Sequence, residues 1–501
     1  CGVGSVSEDL WGGFAVVSGI AGGDCAGSGV GCACEGVLGD VHAWEYLAGI
    51  EVAGFGEGVR SVIVWHRLGN SARGGRSIGV WRDATASRKF TNFESMVAKA
   101  VASFHSLISS ALRIFAGLLW LLFALNSVYA QIQMPRYDWV YTAGQDSQCN
   151  VNAIVVDPDD NGYVVSFFQG TIDADPGPGT LNFTAANGGS ALLQKISAYG
   201  NLIWAKQYGG LGKTATNAIA LDDQRNVYIS GAYEGTTDFD PGLGVQNRSP
   251  AGAWDAYVLK LDSAGNFLWV ATAGAPAGDE WAFALEVDAA GNSVATGIVN
   301  GPTDFDPGLG TATLTPSGLQ SAFIWKLNAN GSLGWIRQID GSGSAMGRGI
   351  DLDSMGNVYA CGHFEGTMDL DPGTAMASAT SAGLQDGYLL KLDPYGDLLW
   401  AQVYGGDSSD RVENVVVGLA GNVYLAGDFQ DTVDFDPSPG SSFPLSFDLS
   451  KSAFLAQIDP NGAFRWAINL PQTNVGDGKI LRVDSIGGAY VAGTYWGAID
   501  F

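Results

Sequence analysis

The sequence predicts an all-β fold, a β-propeller of four-stranded blades, from three observations. An Asp-x-Asp motif recurs with its first aspartate at 173, 238, 304, 369 and 434, and the chain ends within a sixth copy at Asp500-Phe501, a period of 65 or 66 residues. A tryptophan recurs with the same period, at 139, 204, 269, 335, 400 and 466. Glycine accounts for 72 of 501 residues and charged residues for only 15%, which suits short strands and tight turns. Two independent motifs with one period indicate a repeat array.

One repeat contains four predicted strands, as its second copy shows. The runs 215–222, 227–233, 255–262 and 267–274 are rich in β-branched and aromatic residues, and Gly or Asn lies in the turns between them. The Asp-Phe-Asp-Pro-Gly loop follows the second strand. A single blade cannot bury both of its faces, so neighbouring blades must supply the core. A β-solenoid is the competing architecture, but its rungs are usually shorter and need no pair of hairpins.

The chain divides into three predicted regions. Residues 1–95 show no periodicity and are expected to be a non-native upstream segment or a disordered or unusual extra domain. Residues 96–130 follow the pattern of a secretory signal peptide, with an apolar run at 114–125 and a cut before Gln131. Because that run is short for a membrane span, we expect cleavage rather than anchoring, and no span in the mature protein. Residues 131–501 form the repeat array.

The repeat count predicts an incomplete last blade. After an isolated fourth strand at Trp139, five complete units follow, and the chain ends after two strands of a sixth. The third strand of that unit is missing, so we expect a C-terminal truncation at Phe501, with the full number of blades undetermined.

The array is strongly acidic. Residues 131–501 contain 16 Lys and Arg against 41 Asp and Glu, whereas the whole chain has a net charge of −26. Nucleic-acid binding depends on Lys and Arg at phosphates, so this composition argues against a nucleic-acid partner. It suits cations, or a surface kept soluble by self-repulsion.

The Asp-x-Asp-Pro-Gly loop is the leading candidate site. Two carboxylates on a tight turn could face one calcium ion, which takes about 6–8 oxygen ligands. The alternative is a structural turn, in which Asp caps its own backbone, Pro fixes φ and Gly permits a positive φ. The apolar residue between the carboxylates is expected to be a buried peg. The candidate calcium ligands are Asp173, Asp175, Asp238, Asp240, Asp304, Asp306, Asp369, Asp371, Asp434 and Asp436.

The recurring tryptophans are predicted to pack between blades, because the same residue in every unit fits a structural role. They are Trp139, Trp204, Trp269, Trp335, Trp400 and Trp466. No catalytic residue is assigned. His363 is the one histidine of the array, and we expect an ordinary strand residue there rather than part of a Ser-His-Asp set.

Several short motifs recur together: Gly-Asn-Val-Tyr (356–359 and 421–424), Asp-Phe-Asp-Pro, Lys-Leu-Asp, and a tryptophan followed by Tyr-Gly-Gly (208–210 and 404–406). This combination resembles the SBBP-type β-propeller repeat proteins. The resemblance covers residues 131–501 and implies a secreted or cell-surface protein of the kind frequent in Bacteroidetes. It implies no catalytic residues, because the family shares none.

The sequence is consistent with three functions. The first is a secreted or surface module, without catalysis, that binds a protein or a glycan. The second is a propeller enzyme that acts on glycans or resembles the quinoprotein dehydrogenases, whose tryptophan-docking repeat is similar to the spacing of Asp262, Gly265 and Trp269. A structural spacer in a larger surface protein is the third.

Overall fold

The array folds into successive four-stranded antiparallel sheets in the computed structural model. The model describes residues 148–186, 188–418, 421–438, 440–470, 476–484 and 487–495, and the backbone of Arg60–Trp65. All of these residues belong to one compact unit. The predicted signal segment, Trp139 and most of residues 1–95 lie outside the described part of the chain. None of the described segments is a helix long and apolar enough to cross a membrane.

Each blade is a meander whose first, second, third and fourth strands pair in chain order. A short hairpin, or an extension of the second and third strands, connects the second strand to the third. The strands before and in the first two blades are β1 (Arg60–Trp65), β2 (Cys149–Val156), β3 (Gly162–Phe168), β4 (Thr171–Asp173), β5 (Asn182–Thr184), β6 (Ser190–Ile196), β7 (Leu202–Gly210), β8 (Thr214–Leu221), β9 (Val227–Tyr233), β10 (Thr237–Asp238), β11 (Asn247–Arg248), β12 (Asp255–Leu261) and β13 (Phe267–Ala273).

The third and fourth blades repeat this order. They contain β14 (Trp281–Val287), β15 (Ser293–Val299), β16 (Thr303–Asp304), β17 (Thr313–Leu314), β18 (Ser321–Leu327), β19 (Leu333–Gly341), β20 (Ser344–Leu352), β21 (Val358–Glu365), β22 (Thr367–Asp369), β23 (Ser378–Thr380), β24 (Asp386–Leu392) and β25 (Leu398–Tyr404).

The fifth blade and the described part of the sixth complete the array. They contain β26 (Arg411–Val417), β27 (Val423–Asp434), β28 (Pro444–Ile458), β29 (Phe464–Asn469), β30 (Gly476–Val483) and β31 (Ala489–Tyr495). In the fifth blade the second and third strands continue into the hairpin without a break. Strand β1, from the segment that the sequence placed outside the array, pairs antiparallel with β31 and occupies the position of a third strand.

The second and third strands form the core of each blade. Every residue of β9 and β12 is buried, whereas β8 and β13 alternate between buried and half-buried positions. The predicted propeller of four-stranded blades is therefore confirmed. The first strands of consecutive blades, β2, β8, β14, β20, β26 and β30, contact one another in turn and line the axis of the array.

The connecting hairpin links each of several blades to the preceding one. Strand β10 of blade 2 pairs with the end of β7 in blade 1, where Thr237 faces Gly210. Strand β22 of blade 4 pairs in the same way with β19 of blade 3. A Cβ atom on Gly210 would lie 1.9 Å from the carbonyl oxygen of Thr236, so this approach requires glycine. The second glycine of Tyr-Gly-Gly is thus explained by backbone contact with the next blade.

Candidate functional site

The Asp-x-Asp-Pro loop is a closed network of backbone hydrogen bonds. Asp238 Oδ1 accepts hydrogen bonds from the N–H of Asp240 at 3.0 Å and of Gln246 at 2.8 Å. Asp240 Oδ1 accepts one from the N–H of Gly242 at 2.8 Å. The same three bonds recur for Asp173 and Asp175, Asp304 and Asp306, Asp369 and Asp371, and Asp434 and Asp436. A structural turn therefore accounts for these contacts.

The apolar residue between the two aspartates is buried, as the sequence predicts. Phe239 packs against Tyr233 and Tyr257, with ring centroids 5.2 Å and 4.9 Å away. Its counterparts Ala174, Phe305, Leu370 and Phe435 are buried in the same way. Among the described residues, no three His, Cys, Asp or Glu side chains gather as a metal site would require. Calcium at the loops stays a prediction.

Trp269 and Trp335 contact the turn between the third and fourth strands of the following blade. Trp269 Nε1 donates a hydrogen bond to the Ala329 carbonyl at 3.0 Å, and Lys260 Nζ donates to the same oxygen at 3.4 Å. Trp335 and Lys326 share the Pro394 carbonyl in the next blade pair. Trp204, Trp400 and Trp466 pack edge-on against a tyrosine of their own blades.

Each first strand contains a β-bulge at the same place, next to the axis. The bulged residues are Asn152, Asn217, Phe283, Arg348, Glu413 and Lys479. A bulge adds one residue to a strand and redirects its side chain, and bulges are frequent beside functional sites. The Asn152 amide donates to the carbonyl of Thr216, and the Asn217 amide donates to that of Ala282 at 2.9 Å. These side chains therefore reach the next blade.

A continuous row of aromatic and charged side chains crosses four blades at this level. The rings of Trp254 and Trp281 lie 4.6 Å apart, and those of Trp281 and Phe283 are stacked at 6.1 Å. The Arg348 guanidinium lies 5.4 Å from the Phe283 ring, and its Nε lies 3.1 Å from Glu413 Oε2. We call these five residues the axial row. Stacking on Phe283 fixes the plane of the guanidinium, and the Glu413 carboxylate lies beside it.

Arg348 has unused donor capacity. Within the described part of the chain, its two terminal nitrogens donate no hydrogen bond, and its side chain is 29% exposed. A guanidinium presents five N–H donors in a planar fork. Neither Trp254 nor Trp281 donates its indole N–H to a described acceptor, in contrast to Trp269 and Trp335. The row thus offers several accessible donors beside an aromatic surface.

Three cations lie near His363, and carboxylates pair with two of them: Glu413 with Arg348, and Asp428 with Lys451 at 3.0 Å. His363 is buried in β21, and burial lowers its pKa to about 3, with the charges of Arg348, Arg411 and Lys451 as further causes. A neutral imidazole follows at physiological pH. His363 therefore lies within a buried strand as a neutral residue.

Two carboxyl groups lie farther along the first strands, towards the ends of β14 and β20. Burial raises the pKa of Glu286, and the charge of Asp351 raises it further, while Arg482 opposes the shift. Burial also raises the pKa of Asp351, although the N–H of Val417 donates to its Oδ2 at 2.6 Å. Burial therefore makes both carboxyl groups easier to protonate than free ones, because it disfavours their charged forms.

Sequence reasoning did not find the axial row, although the repeats contain a signal for it. Lysine occupies one third-strand position in four blades, and tryptophan recurs in the fourth strand. At the bulge the residue changes from blade to blade, between Asn, Phe, Arg and Glu. The repeats share residues at the Lys and Trp positions but differ at the bulge next to the axis. This difference indicates that the bulged residue has a separate role in each blade.

Apolar side chains are exposed at the hairpin end of the blades, where the first strands begin. Leu243 and Leu309 lie at the tips of the Asp-loop hairpins and are fully exposed. Leu319, Met376 and Leu384 are exposed in the corresponding connections of blades 3 and 4. Leu243 and Leu309 occupy equivalent positions of successive repeats, so this end of the array exposes apolar side chains in a repeated arrangement.

Comparison with known proteins supports the propeller. Residues 203–232 match the family model of the SBBP β-propeller repeat. The chain is also 22% identical over 292 residues to an uncharacterized WD repeat-containing protein of Acanthamoeba polyphaga mimivirus, a match that covers 53% of this chain. The match covers 20% of the length of that relative. With the four-stranded sheets, these similarities identify a β-propeller protein.

Proposed function

We propose that this chain is a secreted or cell-surface β-propeller module that binds another protein and catalyses no reaction. The exposed apolar residues at the hairpin end carry this proposal, above all Leu243 and Leu309. These leucines contribute little to folding, since full exposure leaves their apolar area in water. A protein partner would cover them. The similarity to a WD repeat-containing protein supports a propeller scaffold, on which loops at one end bind a ligand.

Export follows from the pattern in residues 96–130. The apolar run at 114–125 and the short residues before Gln131 fit cleavage by a signal peptidase. The test is expression of the chain with its own leader in a secreting host, followed by N-terminal sequencing of the mature product. Export with Gln131 as the first residue is the expected result, and the mature protein would then lack β1, which pairs with β31 in the structure. Retention of the chain inside the cell, or export with the leader uncleaved, would contradict it.

Binding is tested by photocrosslinking on intact cells of the source organism. A photoreactive amino acid replaces Leu243 or Leu309 at the hairpin end, and Tyr199 or Tyr395 at the opposite end serves as matched control. Tyr199 and Tyr395 are also strongly exposed. Both leucine positions should crosslink to the same extracellular protein, and the tyrosine positions should not. Equal crosslinking from both ends, or none from either leucine, would overturn the proposal.

A further inference from the structure

We propose that the axial row is a carboxylate-binding site, in which Arg348 binds a carboxylate of the protein partner and the aromatic rings hold its neighbouring apolar side chain. This inference rests on the proposed function, because it takes the ligand to be a protein. The carboxylate would be the C-terminus of that partner, and the side chain of its last residue would lie over the rings.

Geometry is the first argument. The Nε of Arg348 lies 3.1 Å from Glu413 Oε2 but donates no hydrogen bond, and the terminal nitrogens also donate to no described residue. A guanidinium binds a carboxylate through two parallel N–H bonds, so the open edge of the fork matches one such group. Stacking 5.4 Å from the Phe283 ring fixes the fork before a ligand arrives, which lowers the entropic cost of binding.

The aromatic residues of the axial row determine which kind of ligand side chain can lie next to the bound carboxylate. Trp254, Trp281 and Phe283 are half-buried and continue the row away from Arg348 into blades 3 and 2. Half-buried tryptophans offer apolar area together with an indole N–H, a combination enriched in protein interfaces. An aromatic or aliphatic side chain beside the carboxylate would cover these rings. The exposed leucines of the hairpins would then contact the rest of the partner.

The net negative charge of the protein favours a singly charged anionic ligand over a multiply charged one. Arg348, Arg411 and Lys451 lie near His363, but Glu413 and Asp428 pair with two of them, and the chain as a whole has a net charge of −26. Long-range repulsion grows with the charge of the ligand, which disfavours phosphate and polyanions relative to a single carboxylate. A monoanionic group with an apolar neighbour is therefore the ligand that fits both the site and the surface.

The test uses N-acetylphenylalanine and its amide as probes, with calorimetry on the full chain. A ligand of this size is expected to bind in the millimolar range, because it makes few contacts to offset the cost of association. The carboxylate should bind at least ~10-fold more tightly than the amide, as the loss of a charge-assisted pair implies. Equal affinities would overturn the proposal. Binding of galacturonate or inorganic phosphate in preference to N-acetylphenylalanine would also overturn it, in favour of a sugar acid or a phosphate.

Two variants at the site test whether a change in binding reflects recognition of the carboxylate or a misfolded site. Arg348→Gln should abolish the preference for the carboxylate, whereas Arg465→Gln, an exposed arginine on β29, should leave it unchanged. Glu413→Gln removes the competing carboxylate and should tighten binding of N-acetylphenylalanine. If Glu413→Gln binds N-acetylphenylalanine more weakly than the unaltered protein does, the proposal is contradicted.

The two proposals fail in different ways. If the leucine positions crosslink to a partner that Arg348→Gln still binds with unchanged affinity, the carboxylate site is wrong and the binding module stands. If N-acetylphenylalanine binds as expected but no partner crosslinks, the protein-binding function is wrong and the site has another ligand.

Discussion

Gly331 shows how a single residue joins two blades. It lies in the turn between β18 and β19 with a φ of 83°, and a Cβ atom there would lie 2.7 Å from the Trp269 ring. Gly331→Ala should destabilise the protein by about 2–4 kcal/mol, the sum of a left-handed backbone and an overpacked contact. Gly440→Ala is the control, since Gly440 has a φ of 86° but no atom within 4 Å. Urea denaturation measures both, and equal losses would show that the Trp269 contact contributes nothing.

Lys260 and Asp222 form a buried ion pair that holds the turns of neighbouring blades. Their Nζ and Oδ2 atoms lie 3.4 Å apart, with side chains 9% and 1% exposed. Blade 5 carries Gln457 and Gly418 at these positions, so both charges are absent together. Lys260→Gln should cost about 3 kcal/mol, because it leaves a buried carboxylate without its cation. Lys260→Gln with Asp222→Asn should cost less than Lys260→Gln alone, and a larger loss in the urea midpoint would contradict this interpretation.

The hairpin between the second and third strands acts as a link between blades rather than as a free loop. Gly210→Ala would place a Cβ atom 1.9 Å from the Thr236 carbonyl and push β10 away from β7. We expect a loss of about 1–3 kcal/mol, as for other overpacked sites, and faster proteolysis within 235–250. Gly162→Ala is the control, because the nearest atom to its Cβ position is 3.8 Å away. Unchanged proteolysis of Gly210→Ala would show that the pairing is dispensable.

Elements could be predicted from the sequence where the repeats agree. The four strands of each unit, the buried peg at Phe239 and the Asp turn all follow from local chemistry that every copy shares. The axial row could not be predicted in this way. Its members come from blades 2 to 5, and only the packing of first strands around the axis brings Phe283, Arg348 and Glu413 together. The position of a β-bulge depends on the register in which two strands pair. The alternation of residues along a single strand does not reveal that register.

The contacts that hold neighbouring blades together are similar along the whole array, whereas the residues at the axis differ from blade to blade. The Lys–Asp pair, the tryptophan contact and the hairpin link recur between blades, so stability is distributed along the array as a sum of neighbour terms. Variation is concentrated at the axis and in the connections at the hairpin end. This separation lets residues of the axial row change their chemistry while the contacts that hold the blades together stay the same.

The free energy of unfolding should depend on pH through two kinds of carboxyl group, those with a raised pKa and those with a lowered pKa, which act in opposite directions. Burial raises the pKa of Glu280 to about 7, with Asp255 as a further cause, and burial raises that of Asp410 to about 6. A folded protein that binds more protons than the unfolded chain loses stability as pH rises, here between about 4 and 7. For Asp222, burial raises the pKa, but hydrogen bonds from Asn226 and the charge of Lys260 lower it overall. Its stabilising effect is lost below about pH 4.

The urea midpoint should therefore be highest near pH 4–5 and fall towards pH 8, which denaturation at intervals of one pH unit would measure. Glu280→Gln keeps an uncharged group of the same shape in a fully buried position, so it should flatten the fall between pH 5 and 8. Asp255, Glu286, Asp351, Asp386 and Asp410 also have raised pKa values, so part of the fall should persist. Asp397→Asn is the control, with a side chain 72% exposed, and should leave the profile unchanged. A midpoint that rises from pH 5 to 8 would mean that these buried carboxyl groups are ionised without cost, against the desolvation that their burial imposes.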